Sequence, residues 1–328
     1  MNSRRRLIVA IGAGTFGMFS MTAFAQTQRV YRVGILVPTG VAITNSPYYV
    51  AFLDELRRLG YVEGQNVSII ARYAGGHLEG LPSAAAELVS ERVDVILAGT
   101  TPAAQAARQA TAAIPIVFSI LSDPVGSGVV QTLARPGFNV TGTSSRSNEL
   151  AAKRMEILKD MFPKVSRVAV LSTDERHVLP HVEEVKRAAK LLGIDTLTTQ
   201  VLRREDMEVA AKQLRAWHAD AIAVVDTIAN FTNRELLVEF AAKVQLPAMY
   251  PQAIYVGVGG LVSYAPSYEL LFRRAAHYVD KILKGANPAE MPVELPTIFE
   301  LIINMKTAKE LRIKIPQPIL LRADKVIE

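Results

Sequence analysis

The chain has 328 residues, 50% of them hydrophobic and 21% charged, which excludes a disordered, collagen-like or polytopic membrane protein and suggests about two domains. It has no cysteine, so disulfide staples, cysteine zinc sites, iron–sulfur clusters and a cysteine nucleophile are all excluded. Arg4, Arg5 and Arg6 carry half of the formal charge of +6, and the remainder interleaves both signs, which argues against nucleic acid as a partner.

Residues 1–25 read as a cleaved export signal. The three arginines form a positive n-region, residues 7–19 an apolar h-region, and Ala23-Phe24-Ala25 a small-x-small cleavage site, so the mature chain is expected to begin near Gln26. Ser3-Arg4-Arg5-Arg6-Leu7 also has the look of a twin-arginine signal, which leaves the export route open. No later apolar run reaches the length of a spanning helix, and a soluble protein of the bacterial envelope is expected.

From residue 30 onward, short runs rich in Val and Ile alternate with stretches of helical period, the pattern of parallel strands joined by helical crossovers. Residues 31–37 form a first strand. A helix follows with Tyr49, Phe52, Leu53, Leu56 and Leu59 on one face and Gly60 as its stop. Strands are expected over 67–72, 93–98 and 116–119, with helices over 82–90 and 102–110 that begin on prolines. A second series repeats these landmarks. Arg32-Val33-Gly34-Ile35-Leu36-Val37 is echoed by Arg167-Val168-Ala169-Val170-Leu171-Ser172, Leu59-Gly60-Tyr61 by Leu192-Gly193-Ile194, and Asp94-Val95-Ile96-Leu97 by Asp220-Ala221-Ile222-Ala223. The expected class is therefore α/β: two similar doubly wound parallel-sheet lobes in tandem. The Pro/Gly-rich segment 135–142 is a candidate hinge, and 256–260 a second. A long amphipathic helix follows over 268–284, then an extended tail. These crossings divide the chain into a first lobe of 26–142 plus about 264–290 and a second of about 143–263 plus 291–328, able to close on a ligand by hinge motion.

Enzyme signatures are missing: there is no G-x-S-x-G, no phosphate-binding loop, no G-x-G-x-x-G after the first strand and no H-E-x-x-H. His77, His177, His181, His218 and His277 are scattered. His177 and His181 are four apart and could share a helix face as a metal pair or as plain surface histidines. Neither a metal nor a cofactor is expected.

Ligands of open parallel sheets bind at the carboxyl ends of the strands, which singles out the loops there. Gly99-Thr100-Thr101-Pro102 follows one strand and opens a helix, so Thr100 and Thr101 either hold a ligand carboxylate at the helix N-terminus or cap their own helix. The matching loop of the second lobe carries Asp226 and Thr227, where the carboxylate either meets a ligand ammonium or caps a helix starting near Phe231. Thr39, Ser122, Asp123, Ser172 and Tyr250 occupy equivalent positions, with a turn role open for Asp123 because Pro124 follows it. Tyr48, Tyr49 and Phe231 are candidates for a ring contact or for core packing.

Over residues 31–328 the chain resembles the ABC transporter substrate-binding proteins of the tryptophan/tyrosine-binding type, within the type 1 periplasmic binding fold. The resemblance rests on Leu59-Gly60-Tyr61-Val62-Glu63-Gly64-Gln65-Asn66-Val67, Ser122-Asp123-Pro124-Val125 and Pro136-Gly137-Phe138-Asn139-Val140-Thr141-Gly142. Its most specific part is C-terminal: Gly259-Gly260-Leu261-Val262-Ser263-Tyr264, Asp280-Lys281-Ile282-Leu283-Lys284-Gly285 and Pro292-Val293-Glu294-Leu295-Pro296. It implies a monomeric periplasmic receptor that hands a small solute, such as an aromatic amino acid, to an ABC permease in the inner membrane. The family's carboxylate-binding hydroxyls match Thr100 and Thr101, and its amine-binding carboxylate matches Asp226. Where many relatives carry an Arg-Glu-Phe type sequence after the Tyr-Pro pair, this chain has Gln252-Ala253-Ile254. A secreted partner of a membrane receptor would present the same sequence. A secreted enzyme would need a base and a nucleophile that the motifs do not supply.

Overall fold

A computed structural model describes residues 29–173 and 178–328; the expected export signal and His177 lie outside the described residues. The first sheet contains β1 (Tyr31–Val37), β2 (Val67–Tyr73), β3 (Val95–Ala98), β4 (Ile116–Leu121) and β5 (Val140–Ser144), all parallel, in the order β2-β1-β3-β4-β5. Its strands read as nearly continuous apolar runs because helices cover both faces. On one face α1 (Pro47–Arg58) and α10 (Tyr268–Leu283) pack Phe52, Leu56, Phe272 and Val279 against Val33, Ile35 and Val95. On the other, α2 (Leu81–Ser90) and α3 (Thr101–Ala110) bury Leu88, Ala103 and Ala107 against Leu36, Ile96 and Phe118.

The second sheet repeats that winding with β6 (Arg167–Leu171), β7 (Asp195–Thr199), β8 (Ala221–Val224), β9 (Ala248–Tyr250) and β10 (Val262–Pro266), and adds β11 (Phe299–Asn304) and β12 (Lys325–Ile327). Its order is β12-β11-β10-β9-β8-β6-β7. The repeat echoed in the sequence is thus a repeat in space, with β1 matched by β6 and β3 by β8. One departure from an all-parallel sheet is β11, which runs antiparallel to β10. Its helices are α4 (Leu150–Met161), α5 (Leu179–Leu191), α6 (Asp206–Ala216), α7 (Ile228–Thr232), α8 (Arg234–Val244), α9 (Ala253–Gly257), α11 (Met305–Glu310) and α12 (Gln317–Leu320).

The chain changes sheet three times, within a few residues of the expected lobe limits, while the two Pro/Gly-rich segments themselves lie just ahead of the crossings. Segment 135–142 stays with the first lobe: the Gln131 N–H reaches Pro136 O at 2.9 Å, the Gly137 N–H reaches Ala289 O at 3.3 Å, and the segment runs into β5. Segment 256–260 stays with the second, joining α9 to β10. Proline and glycine mark turns whether or not a lobe boundary follows. The crossings come between β5 and α4, between β10 and α10, and in the stretch leading to β11. The third is bound to the first, with the Ser144 N–H donating to Glu294 O at 2.9 Å and the Glu294 N–H to Gly142 O at 3.0 Å. Gly142 lies so close to the Phe118 backbone, at φ +151°, that a Cβ there would overlap the carbonyl.

Candidate functional site

A cavity of about 450 Å³ lies between the lobes at the carboxyl ends of both sheets. The switch in winding order, where β1 separates β2 from β3, leaves room there for the loops of each sheet. From the first lobe it is lined by Thr39, Tyr48, Tyr49, Thr100, Thr101, Ser122 and Asp123, and from the second by Asn148, His181, Asp226, Thr227, Phe231 and Gln252.

Two of the expected residues lie elsewhere. Tyr250 is 1% exposed and stacks on Tyr255 at 5.1 Å within the core of the second lobe. Ser172 is buried beside Thr173, to whose carbonyl its hydroxyl donates, and does not line the cavity. The tertiary path of each loop beyond its strand decides which of its residues faces the cleft.

At the first lobe's wall, Thr100 sits at the N-terminal boundary of α3 without accepting a capping hydrogen bond. Its Oγ1 is buried and has no partner among the described residues, although a buried hydroxyl ordinarily finds one. Pro102 in the first turn of α3 leaves the remaining free N–H groups of this helix end beside it. Asp123 has a turn role, accepting from the Gly126 N–H at 2.7 Å, while still lining the cavity. Thr39 Oγ1 accepts a long bond from the Val41 N–H at 3.4 Å.

At the second lobe's wall, Thr227 takes the capping role: its Oγ1 accepts from the Asn230 N–H at 3.0 Å. Asp226 is thereby free for other work. Its Oδ1 accepts from Gln252 Nε2 at 2.7 Å, and its Oδ2 from Ser147 Oγ at 2.9 Å and Tyr268 Oη at 2.6 Å. A carboxylate has about four acceptor positions, so one remains on Oδ1 for a further donor. Behind it Arg154 is buried, its guanidinium donating to the carbonyls of Tyr264, Ser147 and Pro251 at 2.8 to 3.1 Å. Burial lowers the pKa of Arg154 while the charge of Asp226 opposes that shift. Burial, and then the charge of Asp226, raise the Tyr268 and Tyr48 phenols well above their ordinary range, so both remain donors.

Several contacts join the lobes across the cavity. The Tyr48 hydroxyl donates to Gln252 Oε1 at 3.0 Å, Tyr268 reaches Asp226, and Ser122 Oγ lies 3.2 Å from His181 Nε2. The Tyr48 ring stacks on Phe272 at 5.8 Å and lies 6.1 Å from Phe231 of the opposite lobe. All three candidate aromatics therefore line the cavity while also packing on other rings. Gln252 comes from the candidate loop 250–252, whose expected contact was Tyr250, whereas Asn148 and His181 were not among the expected binding residues. Gln252 also marks the point where the chain departs from the pattern of the family it resembles, and His181 stood out only for its spacing from His177, which lies outside the described residues.

The family model described as ABC transporter substrate binding protein matches residues 46–327. The chain belongs to this family. This substrate-binding protein is similar to a tyrosine-binding protein of Clostridioides difficile (strain R20291), 28% identical over 261 residues that cover 79% of this chain and 75% of the relative. Among solved structures it is similar to a domain from Streptococcus pneumonia in complex with L-Trp. That match is 28% identical with a TM-score of 0.81, covering 91% of this chain and all of the other. The ligand-free, open structure of a substrate binding protein with adhesive properties from Clostridium difficile is 26% identical over 91% of this chain and 99% of its own, with a TM-score of 0.66. The fold is that of type 1 periplasmic binding proteins. Among the described residues of this substrate-binding protein, no helix is long and apolar enough to cross a membrane.

Proposed function

We propose that this protein is the periplasmic receptor of an ABC importer and that it captures a zwitterionic amino acid with an aromatic or large apolar side chain. The observation that carries this reading is the polarity of the cleft. Asp226, with one acceptor position left, stands on one lobe, and the Thr100 hydroxyl, unpartnered among the described residues, stands at the N-terminus of α3 on the other. The ammonium group is assigned to Asp226, the carboxylate to Thr100, Thr101 and the helix end, and the ring to the Tyr48 and Phe231 wall. The higher similarity to an L-Trp complex than to an open relative of comparable identity supports a closed arrangement of the lobes. Closure brings both charged ends of the solute into contact at once, and a closed face is what a permease can distinguish from an open one. A micromolar solute needs about 8 kcal/mol, within reach of a charge-assisted hydrogen bond at each end and one desolvated ring. The approach of Ser122 to His181 at 3.2 Å is assigned to lobe closure.

A thermal-shift panel of amino acids, sugars and simple carboxylates tests the solute class. Ligand at 100 times its dissociation constant adds about 2.7 kcal/mol, a rise of several degrees for a chain of this size. Shifts with L-tryptophan, L-tyrosine or L-phenylalanine are expected, and shifts confined to sugars would overturn the assignment. Thr100→Val separates ligand contact from capping. With no capping bond to lose, the melting temperature should hold while affinity for a carboxylate ligand falls about tenfold by titration calorimetry. A fall in melting temperature with unchanged affinity would return Thr100 to its helix.

A further inference from the structure

We propose that Gln252 couples solute capture to lobe closure, as a relay that orients Asp226 only while Tyr48 of the opposite lobe is bound to it. The inference builds on the solute site described above but concerns how the protein sets its own open and closed populations.

Gln252 precedes α9 and is 4% exposed, and its side chain makes no capping bond to that helix. Both ends of its carboxamide are committed to the cleft instead. Asp226 Oδ1 can only accept, so the partner at 2.7 Å must be the Gln252 amide nitrogen. That leaves Gln252 Oε1 facing the Tyr48 hydroxyl at 3.0 Å, and an oxygen that only accepts makes Tyr48 the donor. The direction of the chain Tyr48 to Gln252 to Asp226 is thus fixed by chemistry.

The two ties between Asp226 and the first lobe differ in leverage. Tyr268 is the first residue of α10 and lies two positions after Pro266, at the crossing from β10, so its bond to Asp226 sits beside a pivot. Tyr48 lies on α1, which adjoins none of the three crossings and is packed against α10 as part of the first lobe. Rotation of the lobes therefore separates Tyr48 from Gln252 before it separates Tyr268 from Asp226. Once Tyr48 withdraws, the Gln252 carboxamide loses the hydrogen bond that holds its Oε1 and can turn, and Asp226 loses the donor that fixes Oδ1. The relay favours closure before any solute arrives. Apparent affinity then scales with the fraction of molecules already competent to bind, whatever the solute.

The chain has no cysteine, so Gln65→Cys on the first lobe and Leu191→Cys on the second give a clean pair of label sites, both exposed. Interlobe distances in the ligand-free protein are measured by electron–electron resonance with the relay intact, in Tyr48→Phe, in Gln252→Ala and in the double variant. Tyr48→Phe keeps the ring and removes only the donor. Each single variant should move the ligand-free population toward longer distances and weaken L-tryptophan about fivefold to tenfold, and the double variant should be no worse than Gln252→Ala alone. L-tyrosine should lose affinity by the same factor. Unchanged ligand-free distances in both single variants, or losses that multiply in the double variant, overturn the relay. If distances shift as expected but the parent protein binds no aromatic amino acid, the relay stands and the solute assignment falls.

Discussion

Asp226→Asn should weaken binding of an amino acid by about thirtyfold or more, measured by titration calorimetry. Removing one member of a desolvated, hydrogen-bonded charge pair costs roughly 2–5 kcal/mol, because the remaining charge stays buried without its counterpart. The substitution keeps the shape of the side chain but replaces an acceptor oxygen with a donor. Gln252 Nε2, Ser147 Oγ and Tyr268 Oη all donate to this carboxylate, so an amide nitrogen in either orientation faces at least one donor. A desamino analogue of the same solute should lose far less, since it brings no ammonium group to the site. Equal losses for both would show that Asp226 shapes the cleft without contacting the amine, and unchanged affinity for both would remove it from the site.

Arg154→Met should have the largest effect on stability, about 3–5 kcal/mol, seen as a fall of roughly 5–8 °C in melting temperature by calorimetry. Replacing a buried ion by an apolar side chain is often harmless when its partners leave with it. Here they stay. Three backbone carbonyls, of Ser147, Tyr264 and Pro251, lose their donor at once in a wall that water reaches poorly. Two of those carbonyls adjoin the site, since Ser147 donates to Asp226 and Pro251 precedes Gln252. Affinity should therefore fall together with stability. Arg154→Lys should recover little, because one ammonium group cannot span three acceptors that a planar fork reaches together. A melting temperature within two degrees of the parent, by the same measurement, would contradict this account of the network.

Most of the fold was legible because its signals are local. Residues 31–37, apolar without a break from Val33 onward, alternate toward two helix-covered faces, and β1 has those same limits. Gly60 ends the first helical stretch because it alone tolerates φ of +93° there, and its echo Gly193 adopts φ +68° after α5. The echoes between the two halves became matching strand orders because equal patterns of burial wind into equal sheets. Asp226, Thr100, Thr101, Ser122, Asp123, Thr39 and Thr227 were legible as cleft-facing residues from the general rule that ligands meet the carboxyl ends of parallel strands.

What escaped is of another kind. Tyr250 ends β9 and Gln252 lies only two positions on, yet Tyr250 turns inward to stack on Tyr255 while Gln252 reaches Tyr48, more than two hundred positions away. Segment 135–142 carries the composition of a linker but folds back on Ala289. The sequence by itself determined strands, helices, their duplication and the loops that could bind, because each depends on neighbours within a turn or two. Only the packing of the lobes decided which side chains meet in the cleft. A hydrogen bond between α1 and the residue ahead of α9 depends on the relative placement of whole sheets, which no local periodicity encodes.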